Sequence, residues 1–93
     1  MIASDPPIIG ALVEFFPGRG DLLTGIRPAM IERVDEIGGT ATVALTVFGR
    51  HSVDYLRTGV IGEGEWLNRA ATAPVFDSDS TPHWAWAAEK GPI

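Results

Sequence analysis

At 93 residues, 45% of them apolar and 20% charged, the chain is a folding sequence with room for a single hydrophobic core. Its formal charge is −5 and its sequence pI near 4.7, and Arg19, Arg27, Arg33, Arg50, Arg57, Arg69 and Lys90 are scattered singly. That excludes the basic cluster by which nucleic acid is held. With no cysteine, disulfides, thiolate metal sites and a cysteine nucleophile are excluded too, and stability must come from packing or from assembly.

The opening residues, Met1-Ile2-Ala3-Ser4-Asp5-Pro6-Pro7, carry no basic region ahead of a long apolar stretch. No apolar run approaches about 18 residues, so we expect a soluble protein with no export signal and no membrane partner. Residues 1–10 form an expected extended arm, because Pro6 and Pro7 fix φ and restrict their predecessors, and such an arm can reach a neighbour. Residues 11–16 read as the first strand, stopped by Pro17-Gly18, and residues 17–25 as a loop with three glycines. The length of that loop suits the long connection after the first strand of an SH3-like barrel.

Residues 27–36 are the second strand, ambiguous in period but followed by Gly38-Gly39, the glycine pair of a tight hairpin. The next strand is the clearest: Ala41, Val43, Leu45 and Val47 fall on an expected core face, with Thr40, Thr42, Ala44 and Thr46 on an expected wet face. A turn at residues 49–52 leads to a fourth strand over residues 53–61, in which Gly59 marks a bulge. The spacing of Trp66, Leu67 and Ala70 predicts a short helix near residues 65–73. Phe76-Asp77-Ser78-Asp79-Ser80-Thr81-Pro82 is turn chemistry. The last element, His83-Trp84-Ala85-Trp86, reads as a short strand with both indoles on one face and His83, Ala85 and Ala87 on the other. The expected fold is all-β: a small five-stranded SH3-like barrel over residues 11–87, flanked by the arm and by a C-terminal tail at residues 88–93.

Candidate chemistry is sparse. His51 and His83 stand singly, in a turn and at a strand edge, and Asp77 and Asp79 suit side-chain hydrogen bonds within a turn, so no metal or cofactor is expected. Ser52 beside His51 and Ser80 near His83 are close in sequence only, without a nucleophile elbow, and the carboxylates are too scattered to name an acid–base pair. An enzyme is not expected, and no catalytic residue is named. Gly18-Arg19-Gly20-Asp21 contains Arg-Gly-Asp, which we read as a coincidental exposed turn. The basic residues read as solvated or locally paired charges. Trp84 and Trp86 are assigned to the core, and Trp66 to contact with a partner.

Three blocks carry a resemblance: Pro28-Ala29-Met30-Ile31-Glu32-Arg33-Val34, Val43-Ala44-Leu45-Thr46-Val47-Phe48 and the closing His83-Trp84-Ala85-Trp86. Together they resemble a family of small tailed-bacteriophage structural proteins whose members often end in His-Trp-His-Trp-Pro. This chain has Ala85 in place of the second histidine and Ala87 in place of the proline. The resemblance covers about two thirds of the chain and brings no catalytic residues. It implies a virion protein made in the bacterial host cytoplasm, most naturally a capsid accessory or decoration protein that binds the major capsid protein or neighbouring subunits in many symmetric copies. A head–tail joining or tail component, and an SH3-like adaptor for peptides, are the alternatives. Pro6, Pro7, Ile8 and Ile9 of the arm, with Trp66, Leu67 and Phe76, are the expected interface residues.

Overall fold

The computed structural model of the protein describes residues 6–49, 54–73 and 75–87. The strands are β1 (Leu12–Phe16), β2 (Arg27–Ile37), β3 (Thr40–Phe48), β4 (Asp54–Gly62) and β5 (His83–Trp86), with one helix, α1 (Glu63–Thr72), between β4 and β5. They close in the order β1-β2-β3-β4-β5, so the fold is an all-β, SH3-like barrel with one short helix.

Five is an odd number, and a ring of five strands cannot be antiparallel at every junction. The parallel junction falls between β4 and β5, through Ile61 with His83 and Gly62 with Trp84, whereas β1 pairs antiparallel with both β2 and β5. A parallel neighbour needs a crossover rather than a tight turn, and α1 with the loop after it supplies that connection. Glu63 and Glu65 in the first turn of α1 and Arg69 in the last complement the helix dipole, and Arg69 bonds Glu65 at 2.7 Å one turn away. The helix stops at Ala73, whose backbone is extended and which precedes Pro74 in the sequence.

Between β2 and β3, Gly38 and Gly39 both take positive φ, 59° and 84°, the requirement of the tight hairpin expected there. The pairing slips between Ile31 and Arg33 on one side of β3 and opposite Val43–Leu45 on the other, where Gly59 has φ of 64°; both slips are bulges that add curvature. Inward-facing Val13, Phe15, Ala29, Ile31, Val43, Leu45, Val47, Val60 and Trp84 fill the barrel. Full burial of each of the larger side chains contributes about 1.5–3 kcal/mol. Leu23, from the β1–β2 loop, joins the same core.

The alternation expected in β3 is corrected in its middle. Thr42 and Ala44, on the expected wet face, are buried along with Val43 and Leu45, while Ala41 near the hairpin is exposed. Thr42 pairs with Ile61, which is itself buried beside β5 at the end of the barrel against which α1 packs. Ala44 presents only a methyl group between the two bulges. The N-terminal arm also departs from a simple extended segment. Ile8 and Gly10 close a turn through Ala11 N–H to the Ile8 carbonyl at 3.0 Å, and Gly10 N–H bonds the Ile31 carbonyl at 2.7 Å, fastening the arm to β2. Residues 1–5 of the arm and the tail at 88–93 lie outside the described residues.

Candidate functional site

Strand β5 distributes its four side chains to two different aromatic clusters. Trp84 pairs with Phe15 and Trp86 with Val13, both core residues, so the two indoles face inward; their rings meet edge to face, 5.5 Å between centroids at 81°. Gly62 lies opposite Trp84, where a Cβ would meet the indole at 3.4 Å, an ordinary van der Waals contact.

His83 faces outward, as the alternation requires, yet it is buried. Phe16 stacks on one face of its imidazole at 4.6 Å and 3°, and Trp66 from α1 on the other at 4.2 Å and 25°. The Trp66 indole N–H donates to the carbonyls of Ser78 and Thr81, each at 3.1 Å, so one side chain pins both the helix and the loop behind it. His83 Nδ1 is buried with no protein partner. Burial pushes the imidazole pKa below its ordinary 6.5, against the opposing influence of the Glu63 carboxylate and the Thr81 backbone. The neutral ring is therefore the stable form between its two aromatic neighbours.

The two long loops are tied to each other and to the barrel by charges. Arg19 and Arg57, expected as solvated or locally paired charges, are both paired, the Arg19 side chain staying 66% exposed and that of Arg57 26%. Arg57 of β4 reaches back to Asp21 in the β1–β2 loop, with its Nε 3.0 Å from the carboxylate, and the Asp21 side chain retains 13% of its exposure. Hydrogen bonds from Arg57 hold Asp21 below the usual carboxylate pKa, and the Leu23 N–H, which Asp21 also accepts at 3.0 Å, adds to this. Arg19 spans to the other loop, 3.1 Å from Asp77 and 3.7 Å from Asp79. Gly18 permits this approach, because a Cβ there would collide with the Ser80 carbonyl, and Arg19 N–H bonds the Asp79 carbonyl at 2.7 Å. The Arg-Gly-Asp tripeptide does lie in a turn, closed by the Asp21 N–H to the Gly18 carbonyl at 3.1 Å, with Arg19 and Gly20 exposed and Asp21 half-buried. Its two charged ends hold two different parts of the molecule.

Asp77 accepts hydrogen bonds from the Ser80 hydroxyl at 2.7 Å and the Ser80 N–H at 3.2 Å, as turn chemistry suggests. Ser80 is committed to that turn. Among the described residues no three of the side chains that ligate metals come together, and His51 and Ser52 fall outside them. A groove of about 490 Å3 opens between the β1–β2 loop and Asp79, lined by residues including Pro17, Arg19, Asp21, Leu23 and Thr24, with no aromatic ring.

The expected interface residues separate into two places. Pro6, Ile8 and Ile9 are exposed on the arm and Pro7 is half-buried, beside β2. Trp66 is half-buried with its indole engaged internally, Leu67 next to it on α1 is exposed, and half-buried Phe76 follows the helix. Leu12 and Leu56, neither of them among the expected interface residues, are large apolar side chains left 63% exposed on the outer wall of the barrel. Their strand parity is the signal that finds them, once the inward faces of β1 and β4 are known. Compared with known proteins, the chain matches no family model, no curated protein and no solved structure.

Proposed function

We propose that this chain is a non-enzymatic structural protein of a bacteriophage particle, an accessory or decoration subunit that binds the assembled capsid shell in many symmetric copies. One observation carries the reading. The barrel interior is filled with side chains, the polar groups of both long loops are engaged in holding those loops, and the large apolar side chains left over lie on the outside. Such a molecule offers a surface for docking rather than a chamber for chemistry. The resemblance of the β2, β3 and β5 segments to small phage proteins supplies the setting, and the acidic balance suits a subunit that must not adhere to packaged DNA.

Quantitative mass spectrometry of purified virions tests the proposal. A copy number on the scale of the shell subunits supports it. A number on the scale of a single ring moves the subunit to the head–tail junction or tail. Absence of a stoichiometric copy overturns the virion role.

A further inference from the structure

The outer wall of the barrel carries an apolar stripe with an acidic border. The register places Leu12 of β1 opposite Met30 of β2, Met30 opposite Thr46 of β3, and Thr46 opposite Leu56 of β4, so these four outward side chains form one row across four strands. The row is about 14 Å long at the usual spacing of neighbouring strands. The arm is fastened to Ile31, next to Met30, and brings exposed Ile8 and Ile9 to the same neighbourhood.

One outward position along each strand from this row stands a carboxylate: Glu14 after Leu12, Glu32 after Met30, and Asp54 before Leu56. Glu14 and Asp54 lie on one side of the stripe and Glu32 on the other, where it also accepts the Thr46 hydroxyl at 2.7 Å. Among the described cations of these strands, Arg33 is held by Asp35 at 2.9 Å and Arg57 by Asp21, while Arg27 stands opposite core residue Phe15 with its Nε buried. The border is therefore acidic with no described cation to offset it.

That sign selects the occupant. A second copy laid on the stripe would bring like borders together, and an anionic lipid surface would be repelled. We propose that this stripe docks on a protein surface whose apolar strip is bordered by lysine or arginine; resting on the virion reading above, that surface belongs to the capsid shell.

The test is co-sedimentation of the purified full chain with shells assembled from the major capsid protein of the same phage in its absence. The wild-type chain should pellet with the shells. The double substitution Leu12→Ser with Leu56→Ser, at exposed positions that leave the core intact, should weaken binding by at least about tenfold, as loss of central apolar anchors does. Leu22→Ser, at an 88% exposed position in the β1–β2 loop away from the stripe, should bind as wild type. Raising sodium chloride from about 0.05 to about 0.5 M should weaken the wild-type interaction, since screening shortens the reach of the border charges. Equal binding by the double variant overturns this surface while leaving the shell role standing. Failure of the wild-type chain to pellet overturns the shell role, and this surface with it. A concentration-dependent dimer in sedimentation velocity that the double variant abolishes puts a second copy on the stripe and overturns the basic-bordered partner.

Discussion

The two faces of β5 meet two unlike coverings. Inside, Trp84 and Trp86 lie within a cluster built from all five strands and the β1–β2 loop. Outside, His83 is covered by Phe16 on one side and by Trp66 on the other, which arrives on a helix without a single buried residue. Both clusters are aromatic, but the inner belongs to the sheet as a whole, and the outer depends on one side chain holding a crossover in place. The inner cluster should therefore decide whether the barrel exists, and the outer whether the crossover is docked.

Trp84→Ala tests the first half of that contrast and has the largest expected effect, a loss of about 3–5 kcal/mol in urea-unfolding stability, because a large indole leaves a cavity in a closed core. Trp66→Ala should cost less, about 2 kcal/mol, since the indole is half-buried and its hydrogen bonds are replaced by water. Its signature should be local, with faster amide exchange in α1 and residues 75–82 and unchanged protection in β2 and β3. Equal loss of protection throughout the barrel would erase the distinction between the two clusters.

Gly18→Ala probes the loop contact beside the outer cluster. The added methyl meets backbone rather than a mobile side-chain tip, so we expect a cost of about 1–2 kcal/mol, measured by thermal unfolding. The smallest effect belongs to pH. The folded-state pKa of His83 lies below the ordinary 6.5, so the unfolded chain takes up the proton first on acidification. The stability associated with a neutral His83 is complete above pH 6.5 and is lost as the pH falls from there through the depressed folded value. His83→Phe, which keeps a ring between Phe16 and Trp66, should flatten that part of the stability profile; an unchanged slope would assign the titration to another group.

The inner half of this contrast is legible in the amino-acid order, and the outer half is much less so. The His-Trp-Ala-Trp alternation separates the indoles from His83, the paired glycines at 38 and 39 mark the hairpin, and the glycine at 59 marks a bulge. All of these are local properties of a chain with a two-residue period. Alternation says which side chains share a face, however, and is silent on what covers that face. Thr42, Ala44 and His83 each stand on the outward side of their strands and are buried all the same. Leu23 reaches the core from a glycine-rich loop, and Arg57 finds Asp21 across a long stretch of chain. Contacts of that kind depend on how loops fold back in space, for which no short spacing exists. The outer stripe sits between these cases: its faces follow from parity, but its continuity needs the register.

Because β1 and β5 are the first and last strands of the chain, the junction between them cannot be sealed by a hairpin. Residues as remote in the chain as Val13 and Trp86 must find each other before the barrel is shut. Searching out so distant a partner is slow compared with forming the β2–β3 hairpin. Local pairing within the β1–β4 meander is therefore expected to run ahead of the β1–β5 junction, an order that pulse-labelled amide exchange would check. Final closure awaits the C-terminal strand, and the stripe from Leu12 to Leu56, which needs β1 in its place, is completed only when the meander has gathered in its first strand.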